Sequence, residues 1–130
     1  MQRILIIEDD RLIRENVAEI LRIHNFDVQM APDGRTGIQM ATEFQPDLVV
    51  CDLLMDEIDG CEVLQTLRSQ PDTCTIPFVF LTAFSDRNTI RTAMNAGADD
   101  YIIKPFAIPE FLQVVDVWVD YRRGTHVKEV

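Results

Sequence analysis

The chain is punctuated by short apolar runs that stop abruptly at a polar residue, and this feature restricts the fold more than any other. Residues 4–7 (ILII) stop at Glu8, residues 48–51 (LVVC) at Asp52, residues 78–81 (FVFL) at Thr82 and residues 101–103 (YII) at Lys104. Unbroken runs of this length are the signature of strands covered on both faces. Phe26, Val28 and Met30 alternate with polar residues instead, as a strand near a sheet edge does.

Helical patterns fill the intervals. Ile13, Val17, Ile20 and Leu21 mark a helix with Asp9 or Asp10 available as its cap. Pro32, Asp33 and Gly34 turn the chain into a second helix carrying Ile38, Ala41 and Phe44, which Pro46 ends. A third, over about 61–69, has Val63, Leu64 and Leu67 on its inner face. A fourth carries Ile90, Ala93 and Met94, with Ser85 as cap and Gly97 where a left-handed residue is wanted. The last starts near Pro109 with Ile108 at the cap position, and bears two apolar stripes: Leu112, Val115 and Val119, and Phe111, Val114 and Trp118. Strands alternating with helices predict an α/β fold: a single doubly wound (βα)5 domain with a five-stranded parallel sheet in the flavodoxin-like order 2-1-3-4-5.

In that topology the polar residues ending the interior strands share one edge. They are Glu8 and Asp9, Asp52, Thr82 and Lys104. An aspartate after a strand is, on its own, a turn former or helix cap. Three carboxylates gathered at one edge repel each other and demand cations, and Lys104 supplies only one charge. The missing charge suits Mg2+, a hard cation held by one or two carboxylates plus a phosphate. With a metal and an ammonium group alongside, Asp52 is equipped to accept a phosphoryl group as an acyl phosphate, and the Thr82 hydroxyl to bond a phosphoryl oxygen.

The composition agrees. Twelve basic residues against 22 acidic ones, a formal net charge of -10, argue against direct nucleic-acid binding and favour cations or basic partners. Cys51, Cys61 and Cys74 have no metal-ligand spacing and read as reduced thiols. Three residues before the first apolar run leave no room for a signal peptide, and no stretch approaches a membrane span, so a cytoplasmic protein is expected. His24 and His126 lie outside the constellation; Asp10 reads as a cap, and Phe111 and Trp118 as core.

Four motifs carry a resemblance. ILIIEDD, CDLLMDEIDG, FLTA and YIIKPF, in this order at strand ends, make the chain similar to the receiver domains of two-component response regulators, the CheY-like family. The match runs over residues 3–121 and implies a receiver domain over 1–122, with 123–130 a polar tail or the start of a linker. It implies phosphorylation of Asp52 by a histidine kinase or histidine phosphotransfer protein, and Mg2+ held by Glu8, Asp9, Asp52 and the Leu54 backbone carbonyl. Thr82 and Tyr101 become the switch pair, a cis bond is expected before Pro105, and the fourth and fifth helices become the output face for a homodimer or downstream effector. Such a domain is a signalling switch rather than an enzyme, catalysing at most its own phosphorylation and slow dephosphorylation.

Two departures stand out. Asp56 follows Met55 where the family usually has proline, and Leu54 and Phe84, at positions that govern access of the hydrolytic water in this family, are both apolar. A slow loss of the phosphoryl group is expected. The competing readings are a small Mg2+-dependent phosphohydrolase with an aspartyl nucleophile, for which the chain has no room for a cap domain, and a receiver-like interaction module that is never phosphorylated.

Overall fold

Residues 1–122 are described by a computed structural model; the tail expected over 123–130 lies outside the described residues. The elements are β1 (Arg3–Ile7), α1 (Arg11–Ile23), β2 (Asp27–Ala31), α2 (Gly34–Phe44), β3 (Leu48–Cys51), α3 (Gly60–Arg68), β4 (Phe78–Thr82), α4 (Arg87–Asn95), β5 (Asp100–Ile103) and α5 (Ile108–Arg122). All strand pairs are parallel, in the order β2-β1-β3-β4-β5. This is the expected flavodoxin-like order.

Each apolar run feeds two cores because successive strand side chains point to opposite faces. Ile4, Ile6, Val50, Val79 and Leu81 pack beneath α1 and α5 with Val17, Leu21, Phe111 and Val115. Leu5, Ile7, Val49, Cys51, Phe78 and Phe80 pack beneath the helices of the other face with Ala41, Val63, Leu64, Leu67 and Ala93. That two-sided burial is why the interior strands are continuously apolar while the edge strand β2 alternates.

The helix ends hold the main corrections. Asp10 caps α1 by accepting from the Ile13 amide, and Asp59 caps α3 in a reciprocal box with Glu62. The cap of α4 is Asp86, not Ser85: its carboxylate accepts from the Thr89 amide at 2.9 Å and the Thr89 hydroxyl at 2.7 Å, a double acceptance that one serine hydroxyl cannot match. Gly97 follows that helix at φ 112, as expected. In α5, Ile108 is already helical; the Ala107 carbonyl accepts the first helical bond, from Phe111, at 3.0 Å. The buried line of α5 is Phe111, Val115 and Val119, which crosses the two stripes and leaves Leu112, Val114 and Trp118 half-buried.

The loops at the opposite edge of the sheet are gathered by Arg68. Its guanidinium donates to the carbonyls of Ile76 at 2.6 Å and Gly97 at 3.2 Å and pairs with Asp99 at 2.9 Å, while the same Asp99 oxygen accepts from the Phe78 amide at 2.8 Å. Removing the Asp99 carboxylate takes away that amide's acceptor and the guanidinium's counter-charge together. Asp99→Ala is expected to lower the unfolding free energy by about 2 kcal/mol, whereas Arg11→Ala, breaking the exposed pair with Glu15, should change it by less than ~0.5 kcal/mol; urea denaturation of the two variants checks the contrast.

Candidate functional site

The sheet's carboxyl edge is built by carrying the backbone ladder one residue past its strands. The Asp52 amide donates to the Ile7 carbonyl at 3.0 Å, and the Lys104 amide donates to the Thr82 carbonyl at 2.8 Å. Asp52 and Lys104 therefore leave the backbone at points fixed by the neighbouring strands. The N terminus of α3 closes on Asp52 from the side: the Gly60 amide donates to the Leu53 carbonyl at 2.7 Å, and a Cβ at position 60 would collide with the Asp52 carbonyl oxygen. Only glycine allows that approach.

One carboxylate oxygen from each of Glu8, Asp9 and Asp52 lies within 4.8 Å of the others. Asp9 is exposed and Asp52 partly so, while Glu8 is only 3% exposed. The Lys104 ammonium sits between two of them, 3.3 Å from Glu8 Oε1 and 3.6 Å from Asp52 Oδ2. The other Glu8 oxygen accepts from the Asp10 amide at 3.1 Å. Burial dominates the electrostatics here. It pushes the Glu8 carboxyl up to about 7, with the Asp52 charge adding to the rise and the Asp10 amide and Lys104 opposing it. Burial likewise raises the Cys51 thiol well above its ordinary range, with the Asp52 charge second, so Cys51 is a core side chain.

Thr82 is buried at the end of β4, between the strands that lead to Asp52 and Lys104. The Lys104–Pro105 bond is cis. Tyr101 is not drawn into the cluster. Its hydroxyl donates to the Phe84 carbonyl at 2.7 Å, tying β5 to the loop that leaves β4. The flanking side chains of Leu54 and Phe84 are 62% and 40% exposed. Arg14 belongs to no motif, yet it donates to the Glu8 carbonyl at 2.8 Å and helps fix the acidic turn.

Three carboxylates against one ammonium leave a surplus of negative charge, all of it on hard oxygen donors. This donor set fits Mg2+, which takes carboxylate oxygens and retains waters on its open side. The partly exposed oxygens of Asp9 and Asp52 leave such a side open.

A family model described as the response regulator receiver domain matches residues 4–116. The chain is 42% identical over 112 residues to the DNA-binding dual master transcriptional regulator RpaA of a Synechocystis species, covering 86% of this chain and 46% of that protein. It is 40% identical over 110 residues to the response regulator MprA of Mycolicibacterium vanbaalenii, covering 85% and 47%. The chain thus spans about half the length of the curated relatives it matches. Among solved structures, the receiver domain of a signal transduction histidine kinase from Syntrophus aciditrophicus superposes with a TM-score of 0.88 at 30% identity, covering 100% of this chain and 98% of that one. The BeF3-activated N-terminal receiver domain of Klebsiella pneumoniae RstA does so at 0.85 and 27%, covering 91% and 98%.

Burial of Glu8 sets a pH dependence in metal-free solution. Below its ordinary value of 4.5 the carboxyl is protonated in folded and unfolded chains alike; between 4.5 and about 7 the unfolded chain releases the proton and the folded chain keeps it. The folded state then binds more protons, so this group's contribution to stability falls as pH rises through that window. Thermal melts in chelator from pH 5 to 8 should show Glu8→Gln losing less stability over the window than the parent chain.

Proposed function

The chain belongs to the response regulator receiver domain family, and we propose that it is a phosphorelay switch whose Asp52 accepts a phosphoryl group from a phosphohistidine on a histidine kinase or histidine phosphotransfer protein. The observation that carries this reading is the meeting of Asp52, Lys104, Glu8 and Asp9 at one edge of the sheet. In the transfer, a carboxylate oxygen of Asp52 attacks phosphorus as the phosphorus–nitrogen bond of the donor breaks. The bonding pair returns to the imidazole, which takes up a proton, and Asp52 becomes an acyl phosphate.

Lys104 stays beside the acceptor oxygen and neutralises charge on the phosphoryl group, while the Thr82 hydroxyl donates to one of its oxygens. Glu8, Asp9, Asp52 and the Leu54 carbonyl would hold Mg2+, which when bound supplies the positive charge that lets a dianionic phosphoryl group approach a carboxylate. The switch pair is Thr82 and Tyr101. When Thr82 turns to the phosphoryl group, the space it vacates favours an inward Tyr101, at the expense of the bond to Phe84.

The output surface lies around α4 and α5. Met94, Val117 and Tyr121 are exposed on these helices, and apolar side chains of this kind suit a second copy or an effector. RpaA is described as DNA-binding; in the present protein any such output would belong to a separate effector, because this domain carries a formal net charge of -10. Residues 1–122 act as the receiver and 123–130 as a tail or linker. No helix among the described residues is long and apolar enough to cross a membrane, which is compatible with work in the cytoplasm.

Incubation with Mg2+ and a small acyl phosphate, followed by mass measurement, tests the reading. One phosphoryl adduct is expected on the parent chain and none on Asp52→Asn. Turnover of the donor with no adduct would instead identify a hydrolase, and the absence of any Mg2+-dependent change an interaction module. The exposed apolar side chains of Leu54 and Phe84 offer the hydrolytic water no hydrogen bond, so the adduct should be long-lived. Leu54→Asn and Phe84→Gln should each shorten its half-life several-fold in a decay assay.

A further inference from the structure

The loop between β3 and α3 adopts a backbone that its own sequence does not favour. Glu57 has φ 66, in the left-handed region that side-chain-bearing residues avoid. No proline stiffens the loop, and Asp56 is exposed. A conformation of this kind persists only where the surroundings over-determine it.

The surroundings include a socket. A Cβ on Gly34, the first residue of α2, would lie 2.6 Å from Cγ1 of Ile58 and 2.8 Å from Cγ2 of Val63, so the Ile58 side chain fills the space that any other residue at 34 would claim. On one side of it Met55 is buried, and on the other Asp59 and Glu62 lock the start of α3. The pair Arg35–Glu57 spans the same gap at 3.5 Å, but both side chains are more than two-thirds exposed and such a pair contributes little. Packing, rather than charge, holds the loop to α2.

We propose that Ile58, seated in the notch at Gly34, is a positioning residue for the site: it lets α2 hold residues 53–57 in register beside Asp52, in place of the rigidity a proline would give. The proposal deepens the phosphoryl-acceptor reading and rests on it, since the backbone so held includes the carbonyl assigned to Mg2+. The Asp56–Glu57 step indicates how to replace the clamp. Proline directly before a left-handed residue is the sequence of a type II turn, so Asp56→Pro should stiffen the same backbone from within.

The test uses the full chain and two readouts: the Mg2+ dissociation constant by calorimetry, and amide hydrogen exchange at residues 53–57 without metal. Ile58→Ala should weaken Mg2+ binding about tenfold, the usual scale for losing a group that orients ligands, and speed exchange in the loop while β1 and β3 stay protected. Adding Asp56→Pro should restore both. Ile58→Val, which trims the knob more gently, should move both readouts in the same direction and carries the test if Ile58→Ala does not fold; Gly34→Ala, whose added Cβ would lie 2.6 Å from Ile58 Cγ1, should displace the knob and do the same. Parent-like affinity and exchange in these variants would overturn the proposal, as would losses that Asp56→Pro fails to relieve. A parent chain that binds no Mg2+ would contradict the phosphoryl-acceptor reading instead, and the exchange data would still decide the clamp.

Discussion

Like charges forced together at one edge of a parallel sheet govern the rest of the structure. Carboxylate oxygens within 4.8 Å of each other repel by a few kcal/mol per ionised pair at an effective dielectric of about 20. The topology leaves no escape, because β1 and β3 are neighbours and both run toward the same edge. The chain meets this repulsion in three ways. Lys104 reaches in from β5, Glu8 takes a raised proton affinity from its burial, and Asp9 stays exposed where water screens it. What remains is a net negative pocket of hard oxygen donors, in which a hard cation is favoured.

Such a site tolerates little play, and its supports are backbone contacts more than side-chain ones. Gly60 brings α3 onto the Asp52 carbonyl, the Asp52 and Lys104 amides extend the ladder, and Arg14 anchors the Glu8 carbonyl. The loop between them carries the strain, with a left-handed glutamate at 57. The site thus combines a rigid floor made by the sheet with a rim that α2 and α3 hold from outside.

The fold was legible because its signal is binary. Apolar runs end at charges and helices intervene, and a parallel sheet with a two-sided core follows; the order 2-1-3-4-5 is the flavodoxin-like member of the doubly wound class, which alternation alone does not select. Glu8, Asp9, Asp52 and Lys104 were legible for the same reason, since the one or two residues that directly follow a strand are placed by it. Contacts between non-adjacent loops were not. Asp86 displaced Ser85 as the cap of α4 because a carboxylate can take both the amide and the hydroxyl of Thr89, a pairing visible only once the turn is built. The buried line of α5 crosses both apolar stripes because the sheet, not the helix, selects which side chains it covers. The Ile58–Gly34 fit depends on α2 and α3 lying side by side, and no local pattern announces it.

Glu8, Asp9 and Asp52, with Lys104 beside them, make up the proposed divalent-cation site. Carboxyl carbon resonances followed by NMR during titration of the metal-free protein with Mg2+ test it most directly. These three side chains should shift together along one saturating curve that Asp9→Asn abolishes, while other surface carboxylates stay still. Independent, weak shifts spread over many acidic residues, unaffected by Asp9→Asn, would contradict it.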